Sequence, residues 1–147
     1  MNKTLTEKII EWIRNYFKKT NGRKVVIGIS GGKDSTVCAA LCVKALGKEN
    51  VIGVMMPNGI QADISDSKAV CKILDIPNCT VNINESYKAL IKEVANGLNR
   101  DDVANDTKFN LPPRLRMSTL YAIAQSLPYG GRVVNTCNRS EDYIGYS

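Results

Sequence analysis

The sequence predicts an α/β fold: a parallel β-sheet with helices on both of its faces. Two short, continuous apolar runs rich in β-branched residues, 24–29 and 51–56, read as strands buried on both sides. Between and after them, apolar residues recur at helical spacing, so that strand and helix alternate along the chain. With 147 residues, 44% of them apolar, the chain is the size of a single domain that can bury a core.

Residues 4–20 place Leu5, Ile9, Trp12, Ile13, Tyr16 and Phe17 at helical spacing, with Thr4 and Glu7 spaced as a capping box and Asn21-Gly22 as a stop. The basic residues Lys3, Lys8, Arg14, Lys18, Lys19, Arg23 and Lys24 are spread around this helix, and a solvated face is their expected role. The first strand, 24–29, leads to a helix from Ser35 to about Leu46, ended by Gly47. A second strand, 51–56, is followed by a helix over 64–74, with Val70, Ile73 and Leu74 on one face, closed by Asp75-Ile76-Pro77. Residues 79–83 read as a third strand, and Asn84 is expected to cap a helix running to about Asn96, with Gly97 beyond its end.

Residues 98–111 are polar and rich in Asn and Asp, and are read as a mobile loop. Pro112-Pro113 is then expected to open a helix from Arg114 to Leu127, since proline suits a first turn. A fourth strand spans 132–136, and Ser140-Glu141 opens a last helix. Right-handed crossovers join such strands, and ligands sit at their carboxyl ends.

Composition narrows the chemistry. The chain has no histidine, which argues against a zinc site or a histidine-based triad. Its five cysteines are odd in number, form no Cys-x-x-Cys and sit mostly in apolar stretches, as expected of reduced thiols. No apolar run approaches the roughly 18 to 20 residues of a membrane span, and the first residues are charged, so a soluble, cytoplasmic protein is expected. The net charge of +6 suits a nucleic acid or an anionic small molecule.

Ser30, Gly31, Gly32, Lys33, Asp34 and Ser35 lie between the first strand and its crossover helix, the place for a phosphate site. Adjacent glycines let backbone approach an anion, the serines add hydroxyl donors, and Lys33 adds a full charge. Asp34 would repel phosphates unless a divalent cation bridged the two, so it is assigned to Mg2+. The loop is not a Walker A loop: Gly28 and Gly32 have three residues between them, and position 34 is Asp.

This Ser-Gly-Gly-Lys-Asp-Ser loop resembles that of the ATP pyrophosphatase superfamily, an adenine nucleotide alpha hydrolase-like, Rossmann-like fold in which it grips the pyrophosphate end of ATP. Three further segments resemble NAD synthetases: Pro57, Gly59, Gln61 and Asp63 after the second strand; Asn110, Arg114, Arg116 and Met117; and Thr136, Asn138, Ser140 and Glu141 after the fourth strand. Arg114 and Arg116, two apart on a helix, point to different sides, so one can reach ligand while the other holds structure. Asn135 stands where the family pattern often has glycine.

The resemblance implies adenylation of the carboxylate of nicotinic acid adenine dinucleotide by ATP, then amidation by ammonia, yielding NAD, AMP and pyrophosphate. It implies an ATP site made by Gly28, Ile29, residues 30–35 and Thr136, with Lys33 and Asp34 catalytic. It implies Arg114 on the dinucleotide, and Asp34 and Glu141 on Mg2+. It further implies a homodimer, and a chain that continues in the family beyond Gly145-Tyr146, so that residues 1–147 are expected to be one nucleotide-binding domain lacking a carboxyl-terminal part. Two alternatives stay open: a tRNA sulfur-transfer enzyme of the same superfamily, which would need reactive thiols, and a non-catalytic ATP-binding module. Neither membrane nor nucleic acid is expected as a partner.

Overall fold

The computed structural model describes residues 3–143. Four strands, β1 (Val25–Gly28), β2 (Val51–Met55), β3 (Asn78–Thr80) and β4 (Arg132–Val133), form one sheet in the order β3-β2-β1-β4. All pairings are parallel, with Val25 beside Val51 and Arg132, and Val54 beside Cys79. Six α-helices accompany them: α1 (Leu5–Lys19), α2 (Lys33–Leu46), α3 (Ile64–Leu74), α4 (Asn84–Gly97), α5 (Asn105–Ser126) and α6 (Arg139–Tyr143). The chain builds β2 and β3 to one side of β1, then returns to lay β4 on the other. That reversal opens a crevice outside the carboxyl ends of β1 and β4.

Alternation along β1 divides the core. Val25, Ile27 and Ile29 pack with Phe17 of α1, Ala39 and Cys42 of α2, and Cys71 of α3. Val26 faces the other way with Val54, against Ala124 and the partly buried Leu120, Ile123 and Leu127 at the end of α5. Val25, Val26 and Ile27 are wholly inaccessible to solvent, and each such burial is worth about 1.5–3 kcal/mol. Gly53 shows how closely α3 lies on the sheet, since a Cβ there would meet Cys71 Sγ at 3.0 Å.

The lead-in helix is built as its sequence reads. Thr4 and Glu7 form the reciprocal capping box. Arg14, however, is not part of a merely solvated face: its Nε and Nη2 donate to the carbonyls of Ala45 and Lys44, at 2.9 and 2.8 Å. These are last-turn carbonyls of α2, which have no partner inside their own helix. Lys24 likewise donates to the Glu49 carbonyl at 2.7 Å.

The largest correction concerns residues 98–111. Helix α5 begins at Asn105 and runs unbroken through Pro112 and Pro113, so only 98–104 lies between helices. Val103 is buried there at 8% exposure. Two prolines remove the N–H groups that would bond to the carbonyls of Lys108 and Phe109, a cost the sequence rule treats as a helix start. Here Asn110 Nδ2 donates to the Asp106 carbonyl at 2.9 Å, Lys108 pairs with Asp102, and Phe109 is exposed. Smaller corrections follow the same logic. Asn84 is the first residue of α4 rather than its cap, β3 starts at Asn78 and ends at Thr80, and β4 is only two residues long. The expected helix at Ser140-Glu141 is present as α6, while Gly145 and Tyr146 lie outside the described residues. Among the described residues no helix is long and apolar enough to cross a membrane.

Candidate nucleotide site

The loop of residues 30–35 joins β1 to α2 at the crevice. Gly32 is the N-cap of α2 with no side-chain cap, so the helix's first N–H groups are left for something else. The loop is braced internally. Ser30 Oγ lies 3.0 Å from Ser35 Oγ and accepts from the Gly32 N–H at 3.2 Å, while Ser35 Oγ donates to the Gly32 carbonyl at 3.1 Å. Thr36, which sequence reasoning passed over, donates its hydroxyl to the same carbonyl at 2.8 Å. Ser35 is buried at 4% exposure, so its hydroxyl serves the loop from inside, whereas Lys33 is exposed and Asp34 half-buried at the first turn of the helix.

Gly31 has φ +84°, and a Cβ there would stand 3.0 Å from Asp66 Cβ and 3.2 Å from the Ser67 N. The first turn of α3 therefore rests directly on the loop. Ile29 is spent on the fold, its side chain buried and its N–H donated to the Val54 carbonyl at 2.9 Å, which leaves its own carbonyl. Gly28 faces the α5 side of the sheet, where a Cβ would meet Met56 Cε at 3.2 Å and Leu120 Cδ1 of α5 at 3.6 Å.

Across the crevice β4 delivers the segment 135–141. Val134 N–H donates to the Val26 carbonyl at 3.0 Å, which carries β4 along β1 toward the loop. Asn135 Oδ1 accepts from the Cys137 N–H at 2.9 Å and turns the chain where the family pattern often has glycine. Thr136 is half-buried beside it. Asn138 and Glu141 cap α6 reciprocally: Asn138 Oδ1 accepts from the N–H groups of Ser140 and Glu141 at 3.0 and 3.1 Å, and Glu141 Oε2 accepts from the Asn138 N–H at 3.0 Å. One oxygen of Glu141 thus holds the helix start. Asp34 and Glu141 come from the elements that follow the adjacent strands β1 and β4, and none of the ion pairs among the described residues engages either, or Lys33.

The arginines of α5 divide as their spacing predicts. Arg116 is half-buried and its Nε donates to the Met56 carbonyl at 3.0 Å, at the carboxyl end of β2. Arg114 is exposed, its guanidinium turned to the Asn110 carbonyl at 2.8 Å.

Cys38 and Cys42, four apart on α2, are packing groups of the core. Burial pushes Cys42 up to about 11, and raises Cys38, where the Asp34 carboxylate adds to the effect. A thiol held protonated is a poor nucleophile, which weighs against the sulfur-transfer alternative.

A glycine-rich loop at such a reversal of strand order is shared by many nucleotide-binding proteins. The family description of NAD synthase matches residues 5–147, nearly the whole chain. The chain belongs to the NAD synthase family. Among its relatives, the NH(3)-dependent NAD(+) synthetase of Pyrococcus horikoshii is 39% identical over 140 residues, a span covering 95% of this chain and 52% of that protein. The solved NH3-dependent NAD synthetase of Campylobacter jejuni superposes with a TM-score of 0.84 at 33% identity, over 97% of this chain and 59% of that one. The NMN synthetase of Francisella tularensis superposes with a TM-score of 0.83 at 31% identity, over 97% and 57%. The chain thus spans about half the length of the NAD synthase family relatives it matches.

Proposed function

We propose that this chain is the ATP-binding part of an ammonia-dependent NAD synthetase. The observation that carries the reading is the uncapped start of α2 at the β1/β4 reversal, in a chain of this family. The β- and γ-phosphates of ATP rest on the N–H groups that open α2, with Lys33 adding charge and Ser30 and Gly31–Gly32 shaping the cradle. Thr136 and the backbone at Gly28 and Ile29 border the nucleotide, and Arg114, exposed on α5, reaches the dinucleotide. The carboxylate of nicotinic acid adenine dinucleotide attacks the α-phosphorus, pyrophosphate departs, and ammonia displaces AMP to form NAD. The protein's part is positioning and charge stabilisation, and no covalent nucleophile is needed.

The two carboxylates fit magnesium. They are hard oxygen donors, and among the described residues no cluster of three or more metal-ligating side chains exists, as suits an ion that takes one or two carboxylates together with substrate phosphates. When bound, it neutralises charge on the departing pyrophosphate. Asp34 and one oxygen of Glu141 hold it in this reading. A homodimer is part of the reading, to be checked by sedimentation, as is a cytoplasmic location, which suits the free cysteines.

The test is calorimetric titration of the chain with ATP, with and without Mg2+. Magnesium-dependent binding is expected, weakened in Asp34→Asn; no ATP binding overturns the reading, and an unchanged metal dependence in Asp34→Asn removes that residue's role. Assays with ATP, Mg2+, ammonia and either nicotinic acid adenine dinucleotide or the corresponding mononucleotide then choose the substrate. The second is included because the Francisella tularensis neighbour is named an NMN synthetase.

A further inference from the structure

Asn82 stands between β3 and α4, and its carboxamide is used on both sides. Its Oδ1 accepts from the N–H of Gly59 at 3.0 Å and from that of Asn84 at 3.1 Å, and its Nδ2 donates to the Gly59 carbonyl at 3.3 Å. One side chain thus holds both backbone groups of Gly59, whose φ of +87° is open to glycine and strained for others. Two more hydrogen bonds join the same segments: Ile83 N–H to the Pro57 carbonyl at 2.9 Å, and Asn84 Nδ2 to Asn58 Oδ1 at 3.2 Å. The β2–α3 connection, residues 57–63, is therefore latched to the start of α4.

That connection borders the candidate site. It runs directly into α3, whose first turn packs on Gly31 of the phosphate loop. From Pro57 to Ala62 it has no charged side chain, and Ile60 is fully exposed at 104%. Its chemistry is apolar and amide, unsuited to phosphate and suited to the uncharged end of a nucleotide. Pro57 is buried and Asn58, Gly59 and Gln61 are half-buried, whereas Ile60, Ala62 and Asp63 are exposed, and that exposed part would be ordered at the ligand's expense unless something held it beforehand.

We propose that Asn82 is a positioning residue for the nucleotide: acting through Gly59, it holds residues 57–63 as a preformed wall beside the nucleoside end of a nucleotide whose phosphates lie on residues 30–35. The inference rests on the proposed function and adds to it a residue that touches no substrate. Asn82 is exposed and outside both core clusters, so its replacement leaves the hydrophobic core intact.

The test compares ATP with inorganic pyrophosphate on the chain, by titration calorimetry well below each variant's melting temperature. Asn82→Ala is expected to weaken ATP binding about ten-fold and to leave pyrophosphate within about two-fold, since the phosphate loop keeps its own bracing. Asn82→Asp keeps the acceptor for both N–H groups but sets an oxygen against the Gly59 carbonyl, so a loss of about three-fold is expected. Should Asn82→Ala not fold, Asn82→Asp reads the same split. Unchanged ATP affinity, or parallel weakening of ATP and pyrophosphate, makes Asn82 a structural residue only and overturns the inference. A wild-type chain that binds neither ligand overturns the proposed function itself, a separate result.

Discussion

The Nε of Arg116 donates to the carbonyl of Met56 at 3.0 Å, across sixty residues of sequence. The bond ties the middle of α5 to the carboxyl end of β2, just where the chain leaves the sheet for residues 57–63. It sits on the α5 side of the sheet, where Met56 also packs against the core.

Arg116→Met should therefore destabilise the chain by about 1–3 kcal/mol, because the half-buried Met56 carbonyl loses its charged donor while the aliphatic bulk stays. Arg114→Ala, at an exposed position on the same helix, should stay within about 0.5 kcal/mol. Urea melts of both variants measure the contrast, and equal effects would remove the structural role of Arg116.

Gly31 is expected to tolerate no side chain. At φ +84° an alanine is strained, and its Cβ would press on Asp66 Cβ at 3.0 Å, so Gly31→Ala should cost about 1–2 kcal/mol and weaken ATP binding. Gly97 ends α4 with nothing within 4 Å of the Cβ position, and Gly97→Ala should instead gain about 0.5–1 kcal/mol from helix propensity. Thermal melts and ATP titrations of the pair separate the site's geometry from a general glycine effect.

Cys42 carries a pH prediction. Its folded-state value is raised from the ordinary 9.0 to about 11, by burial first and by the neighbouring Cys38 second. The unfolded thiol ionises first, so the stabilising contribution is complete below pH 9 and is lost as the pH rises toward 11. Stability measured by denaturant across that window should fall, and Cys42→Ala should flatten this part of the slope. A slope that Cys42→Ala leaves unaltered would count against the assignment.

Much of the site was legible because its signals are local. Residues 30–35 need adjacent glycines, a buried strand before them and a helix after them, and all three stand side by side in the sequence. Arg114 and Arg116 could be divided into an exposed and a structural residue by helical geometry alone, though not which was which. Thr36 was missed, although a hydroxyl four residues past an uncapped N-cap glycine is a readable signal. Asn84 was read as a cap from its residue type. The carboxamide that serves the first N–H of α4 belongs to Asn82, and Asn84 turns to Asn58 instead.

By itself the sequence determined the alternation of strands and helices, the capping box at Thr4, the boundaries of α3 and the glycine-rich loop between β1 and α2. Each is set by propensity, period or turn chemistry within about ten residues. Only the tertiary structure decided that α5 begins at Asn105 despite Pro112-Pro113, that Arg14 closes the end of α2, and that Arg116 and Asn82 hold the β2–α3 connection at Met56 and Gly59. Those outcomes depend on partners tens of residues away, and packing against the sheet outweighs the local cost of two missing N–H groups.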